Sequence, residues 1–560
     1  MRILPCFLVF ALVLAGADIR NTSTPDTDTP CSFTAPATLS AWEARKVQLR
    51  SQILIAAGLD PLPAKTALTP IVTGRLERNG YTIEKVAIET MPGYWLGGNL
   101  YRPKSAGRHP AVLHPHGHWS YGRLENQPLC STPTLAINLA RNGFVVFAYD
   151  MVGYNDTAQT PHDFSTPAHQ LWGFTPLGLQ LWNSIRAADF LESLPDVDPQ
   201  KLAMTGASGG GTQTFLLTAV DQRIRVSAPV NMISGIMQGG CICENAPGLR
   251  IGTNNIEIAA LMAPRPMLAV AATGDWTRNV PRQEYPALKT VWSLYGKPEL
   301  VEAVQFDAPH NYNQDSRQAV YDFLRKQLLP GAPPFKERVV AVEQLQDMMV
   351  FNGRALPSHA RTFDQLFEDW KAAARRQAQS LTPAQGRALL RATFAVSAQP
   401  GAQAVPMRYI DGASPAVLYV HPGGIQAAAE SAGVKKLLAA GRAVLLVDAF
   451  QTGAAQAPRD RSHKHFLTFN PSDDAARASD VLAAISALAA KKPGAIEIQA
   501  EGKARWWALF AAAMSDTPVR FETRPAEFDA SDAQLADNFF VPGLQRAGGA
   551  ATALRLVGAR

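Results

Sequence analysis

Apolar and polar positions change period several times along the chain, and each change marks an element. From Leu39 to Ala57 the apolar residues return at helical spacing until Gly58, which predicts an amphipathic helix. Tyr81 to Glu89 and Tyr94 to Tyr101 alternate instead, with Pro92-Gly93 between them, which predicts an antiparallel strand pair. Beyond Ala111 short continuous apolar runs alternate with helical stretches. "AVLHPH" reads as a strand, Leu135 to Asn142 as a helix, and Phe144 to Tyr149 as a strand entering Asp150. Leu179 to Leu194 is helical, Leu202 to Thr205 a strand, Thr212 to Val220 the start of a helix, and "VSAPVNM" and "MLAVAATG" further strands. Strands without a polar side are covered on both faces, so the pattern predicts an α/β chain with a mostly parallel sheet and helices on both sides. Such sheets bind ligands at the carboxyl ends of their strands.

The pattern stops at "PGAPPF" after Leu329 and restarts beyond a polar, helix-prone stretch. "PAVLYVHPGG" at Pro415 echoes "PAVLHPHGHW" at Pro110, "GRAVLLVD" at Gly441 echoes "GFVVFAYD" at Gly143, and "RASDVL" at Arg477 echoes "RAADFL" at Arg186. Echoes in the same order, on corresponding elements, predict a duplicated unit. The expected organisation is a first α/β domain over 18–332, a helical connector over 333–399 and a second, degenerate α/β unit over 400–560.

Composition narrows the class. With 47% hydrophobic and 18% charged residues in 560, the chain reads as globular and of more than one domain. The net charge of +6 comes from scattered lysines and arginines, so no nucleic-acid or membrane patch is expected. Met1-Arg2, the apolar Ile3 to Leu14 and Ala15-Gly16-Ala17 form the pattern of a cleaved signal peptide over 1–17. The run is too short for an ordinary spanning helix, so export to the periplasm or outside is expected, without stable membrane insertion. Asn21 to Pro36, rich in Thr, Asp and Pro, reads as a mobile leader.

The chemistry centres on Gly206-Ala207-Ser208-Gly209-Gly210, a G-x-S-x-G elbow between a strand and a helix. Ser208 is the expected nucleophile. Asp275, at the end of "MLAVAATGD", is the expected orienting acid and His310, in "FDAPHNYN", the expected base; Asp307 is a weaker candidate for the acid. The order Ser208, Asp275, His310 is that of the α/β-hydrolase fold. The oxyanion donors would be the Gly209 N–H and, from the loop His116-Gly117-His118-Trp119, the His118 N–H. Trp119, Tyr154 and Trp276 lie beside these elements and suit stacking on a sugar, or simply a pocket wall.

Metal chemistry is not expected. His114, His116 and His118 alternate without an acidic ligand, and Cys241 and Cys243 in "CICE" are by themselves a poor four-ligand set. Structural use of these thiols is expected, with Cys130 pairing to Cys241 or Cys243. No metal or organic cofactor enters the expected chemistry. In the second unit, "AEGKA" falls over the elbow with Gly502 in place of Ser208, and no histidine follows His465, so no hydrolysis is expected there.

The elbow "GASGG", the loop "HPHGHW", "YDMVGYND" at Tyr149, "TGDWT" and "APHNYN" together resemble the bacterial α/β-hydrolases of the acetyl xylan esterase and dienelactone-hydrolase-like group. The likeness covers roughly Leu39 to Leu329 and implies a serine esterase with an acyl-enzyme mechanism. Its implied partner is an acetylated or otherwise acylated carbohydrate, small or polymeric. The related glucuronoyl esterases carry arginine and lysine just after the nucleophile, where this chain has Gly209, Gly210 and Gly211. Alternatives from the same scaffold are a prolyl-oligopeptidase-type peptidase and a non-catalytic carbohydrate-binding protein.

Overall fold

The computed structural model describes residues 18–396, 405–491, 494–522 and 528–558. The expected signal peptide over 1–17 and the expected start of the second unit at residue 400 lie outside them. No helix among the described residues is long and apolar enough to cross a membrane.

In chain order the strands of the first unit begin with β1 (Ile71–Arg78), β2 (Tyr81–Met91), β3 (Tyr94–Pro103) and β4 (His109–Pro115). A separate small hairpin, β5 (Asn126–Gln127) and β6 (Cys130–Ser131), precedes β7 (Val145–Tyr149) and β8 (Val197–Ala207). β9 (Ile224–Val230), β10 (Met267–Gly274) and β11 (Val301–Pro309) follow. Nine of them form one sheet in the order β1-β2-β3-β7-β4-β8-β9-β10-β11. The β1, β2, β3 and β7 neighbours are antiparallel, and every pairing from β7 to β11 is parallel. This is the α/β-hydrolase fold.

The all-apolar strands are buried on both faces, as their composition requires. Val145, Phe147 and Tyr149 of β7 point into one core layer, while Val146 and Ala148 join the other. Helix Pro176–Ser193 covers the first layer; Thr175 caps it by accepting the Gly178 N–H, with proline in its first turn. The N-terminal helix runs Leu39–Ala56 and stops as expected before Gly58, whose φ of +67° suits glycine.

The second unit contains β12 (Met407–Ile410), β13 (Ala413–Val420), β14 (Arg442–Val447), β15 (Ile496–Ala500) and β16 (Arg520–Phe521). Their order, β12-β14-β13-β15-β16, repeats β3-β7-β4-β8-β9 strand for strand, with the first pairing again antiparallel and the rest parallel. Helix Asp473–Ala490 matches Pro176–Ser193, each with 18 residues. The echoes therefore fall on equivalent elements. Among the described residues, β10 and β11, which precede the expected acid and base of the first unit, have no counterparts in this sheet.

The two units are joined by polar contacts, some of them buried. Gly248 N donates to Leu467 O at 2.8 Å and Arg250 N to Thr468 O at 2.9 Å. Arg546 Nε donates to Gly58 O at 2.8 Å, and Trp172 Nε1 to Asp532 Oδ1 at 2.8 Å.

The expected mobile leader is instead a strap over both units. Arg20 lies between Asp18 and Asp480, with its guanidinium 4.5 Å from the Phe450 ring centre. Gln238 N donates to Thr27 O at 2.8 Å, Cys31 N to Gly235 O at 2.7 Å, and Asn470 Nδ2 to Pro25 O at 2.8 Å. A composition that is poor in apolar side chains still orders when its backbone groups find fixed partners.

Candidate active site

β8 ends at Ala207, and Ser208 turns the chain into helix Gly209–Val220. Ser208 has φ 58° and ψ −125°, a conformation that costs free energy for a residue with a Cβ. It is held by Ser208 N donating to Val230 O at 3.1 Å and by its own carbonyl accepting Thr212 N at 3.0 Å. The flanking glycines permit close approach: a Cβ on Gly210 would lie 2.4 Å from Pro115 O, and one on Gly209 would lie 2.6 Å from His118 Cε1. The His116–Trp119 loop thus rests directly on the elbow.

Asp275 and His310 follow the adjacent strands β10 and β11. Asp275 Oδ2 accepts from His310 Nδ1 at 2.8 Å, and Asp275 Oδ1 accepts the Thr277 N–H at 2.7 Å. The carboxylate is buried and fixed from two sides. His310 Nε2 is buried and makes no hydrogen bond. Asp307 instead accepts from Thr273 Oγ1 at 2.6 Å. Two indoles lie near the His310 ring: Trp119 is parallel at 6.3 Å between centres, and Trp276 is at 4.3 Å. Since Trp119 belongs to the loop packed on the elbow, the base and the serine share one end of the sheet.

Tyr154 packs on the first residue of the same loop. Its ring meets His116 edge-on at 4.9 Å and His162 at 5.1 Å. The three alternate histidines do not act as a unit. His114 Nδ1 bonds to Thr205 O at 2.7 Å, and burial pushes its pKa down to about 4. His116 Nδ1 bonds to Gly117 O at 2.7 Å while its Nε2 accepts the Met151 N–H at 2.9 Å; burial pushes it down to about 3. Only His118 turns the other way, placing Nε2 3.1 Å from Cys243 Sγ.

The expected pairing of Cys130 is overturned: Cys31, Cys130, Cys241 and Cys243 are all free thiols. Cys130 is buried in the small hairpin, bridged to Tyr312. Cys241 Sγ lies 3.3 Å from His162 Nε2. Hydrogen bonding from Cys243, then from His118 and His162, holds the Cys241 thiol far below its ordinary pKa, whereas burial and Cys241 push Cys243 well above. The loop that carries both thiols is pinned by Glu244, whose Oε2 accepts from Gly240 N and Cys241 N, each at 3.1 Å. Sequence reasoning missed His162 and Glu244. The only signal for Glu244 was its place in "CICE"; His162, in "TPHDF", had none.

Behind β7, Arg123 pairs with both Asp150 and Asp156, all fully buried, and burial raises Asp150 to about 6. Asp156 also accepts from Val350 N at 2.8 Å and Phe351 N at 2.9 Å, which ties the connector to the first unit. A cavity of about 450 Å³ between helix Leu39–Ala56, the connector and the second unit is lined by none of the residues of the serine site.

The acetyl xylan esterase family matches residues 79–232, from β2 to just past β9. The solved structure of methylesterase BT1017 is 31% identical, and the match covers 62% of this chain and 78% of that one at a TM-score of 0.52. The chain belongs to the α/β-hydrolase superfamily of esterases, related to the acetyl xylan esterases. YtaP of Bacillus subtilis, named as a hydrolase, is 26% identical to this esterase over 261 residues, which is 43% of the chain and 84% of YtaP. Acetyl esterase Axe7A of Xylanibacter ruminicola is 28% identical over 149 residues, 24% of the chain and 32% of Axe7A. The family match contains Ser208, Gly209, His118, Trp119 and Tyr154 but stops short of Asp275 and His310. Carboxylic ester hydrolysis on an α/β-hydrolase scaffold is the activity to which this relationship points.

Proposed function

We propose that the protein is an exported serine esterase that removes acyl or alkyl groups from esterified carbohydrate, with Ser208, His310 and Asp275 as its catalytic set. The observation that carries the reading is the 2.8 Å bond between Asp275 Oδ2 and His310 Nδ1, at the same sheet end as an elbow serine with φ 58°. With Nδ1–H donated to the carboxylate, Nε2 is the basic atom. It takes the Ser208 proton as Oγ attacks the ester carbonyl, then gives it to the departing alcohol as the acyl C–O bond breaks. Water, deprotonated by the same nitrogen, releases the acid and restores Ser208. The Gly209 and His118 N–H groups are the proposed oxyanion donors, and Trp119 and Trp276 the walls against which a sugar ring stacks. Tyr154, packed on His116 and His162, acts in that wall only indirectly.

Two leaving-group chemistries have support. The acetyl xylan esterase match favours acetyl esters, and the methylesterase at 31% identity favours methyl esters. Acetate release from acetylated xylan and methanol release from methyl-esterified polysaccharide, followed side by side, separate the two. Ser208→Ala should abolish whichever is found while leaving the circular dichroism unchanged, and a fluorophosphonate should label a peptide containing Ser208. Turnover near the wild-type rate in the variant, or labelling elsewhere, overturns the assignment. Secretion of the full-length chain, with a mature N-terminus near Asp18, tests the export reading.

A further inference from the structure

His118, His162, Cys241 and Cys243 come from three separate stretches of the first unit, yet one ligand atom of each lies within 4.8 Å of all the others. The contacts His118 Nε2 to Cys243 Sγ and His162 Nε2 to Cys241 Sγ measure 3.1 and 3.3 Å. A tetrahedral zinc ion with bonds of about 2.3 Å to sulfur and 2.0–2.1 Å to nitrogen has ligand-to-ligand edges of about 3.3–3.8 Å. The four atoms are thus within about 1 Å of a Cys2His2 tetrahedron as they stand.

We propose that these four side chains form a binding site for one thiophilic divalent cation, zinc by its chemistry, beside the serine site. Two thiolates and two imidazoles are the donor set that favours a closed, structural, four-coordinate ion over magnesium or calcium, which prefer oxygen. The surroundings fit that role. His162 Nδ1 donates to Val152 O at 2.7 Å, which leaves the Nε2 lone pair for a metal and fixes the ring. The Cys241 N–H is held by Glu244, and Lys464 of the second unit donates to Gly240 O at 2.6 Å, so the Cys loop is braced from both units. The burial is graded: Cys243 is buried, His162 and Cys241 partly so, and His118 is the exposed member.

Such an ion would clamp the Cys loop to the loop that lies on the elbow, through a ring that a Cβ on Gly209 would touch. Its role is positioning: the ion contacts neither Ser208 nor a substrate carbonyl in this reading. Coordination is independent of the esterase proposal, because the metal is measured without turnover.

The test uses the full-length protein expressed with zinc, dialysed without chelator and measured by elemental analysis. One zinc per chain is expected, together with two thiols that react with a thiol reagent only after chelation. Cobalt in place of zinc should give intense tetrahedral d–d bands and a sulfur-to-cobalt charge-transfer band. Cys243→Ser should lose the metal; should that variant fail to fold, His162→Ala, at a less buried position, should weaken retention at least tenfold. Less than a tenth of an equivalent of zinc and no thiolate–cobalt band in the folded wild type would overturn the proposal. A Cys241–Cys243 disulfide found by mass mapping of the freshly purified chain would overturn it too.

Discussion

Thr212 Oγ1 donates a 2.7 Å hydrogen bond to Glu244 Oε1, joining the helix that begins after Ser208 to the loop that carries Cys241 and Cys243. Both side chains are buried. A hydrogen bond to a charged acceptor contributes about 1.5–3 kcal/mol, and Thr212→Val keeps the shape while removing the donor. Thr212→Val should therefore lower the unfolding free energy by about that amount, measured by urea denaturation. A midpoint equal to wild type would mean that the elbow and the Cys loop are braced by other contacts.

Asp275 acts through the imidazole. Asp275→Asn would still bond to His310 but would favour the wrong tautomer, with Nδ1 unprotonated. The expected loss is about 10⁴-fold in kcat, with KM changed little, because only proton transfer is affected. Steady-state kinetics on the best ester decide this. A loss confined to KM would place Asp275 in binding.

Gly209 is constrained by its neighbour. A Cβ there meets His118 Cε1 at 2.6 Å, whereas one on Gly240 meets nothing within 4 Å. Gly209→Ala should cut kcat by about a hundredfold or more, the scale of a displaced oxyanion donor. Gly240→Ala should match the wild type. The same contact explains why an arginine after the nucleophile has no room here while His118 holds its position.

Acid should destabilise the fold before most carboxylates protonate. His114 and His116 have folded pKa values near 4 and 3, below the ordinary 6.5. The unfolded chain therefore takes up these protons from about pH 6.5 downwards, so the stability present above pH 6.5 is lost between about 6.5 and the folded values of about 4 and 3. For His114 the shift corresponds to roughly 3 kcal/mol. Urea midpoints between pH 7 and pH 5 should fall, and His114→Gln should reduce the slope by about one proton. An unchanged slope in the variant would show that another group carries the effect.

The second unit should stabilise the first through Arg546. Its guanidinium is buried, bonds to Gly58 O at 2.8 Å and to Pro61 O, and lies 5.7 Å from the Trp370 ring centre. Arg546→Ala leaves those buried carbonyls unpaired and should cost about 2–4 kcal/mol. Differential scanning calorimetry would read this as a lower melting temperature. Esterase activity at low temperature should be unchanged, because Arg546 bonds to Gly58 O and Pro61 O and not to Ser208, His310 or Asp275.

Much of this protein is local in the chain and was legible there. Apolar runs that must be covered on both faces determine a parallel sheet. A serine between glycines at a strand end determines an elbow, and the strand-by-strand echo determines the second unit, down to Gly502 with φ 49° where Ser208 has 58°. The positions of Asp275 and His310, just after β10 and β11, were legible for the same reason, since the place of each strand in the sheet follows from chain order. What tertiary structure decided is everything that depends on the direction of a side chain or on contact between distant segments. The sequence period of His114, His116 and His118 says nothing about which ring turns to a backbone carbonyl and which to a thiol. His162 lies 44 to 81 residues from its partners in the cluster, so no spacing rule can connect them. The polar leader orders because residues of both units offer partners for its backbone. Composition registers what a segment contains, and only the folded chain supplies what it touches.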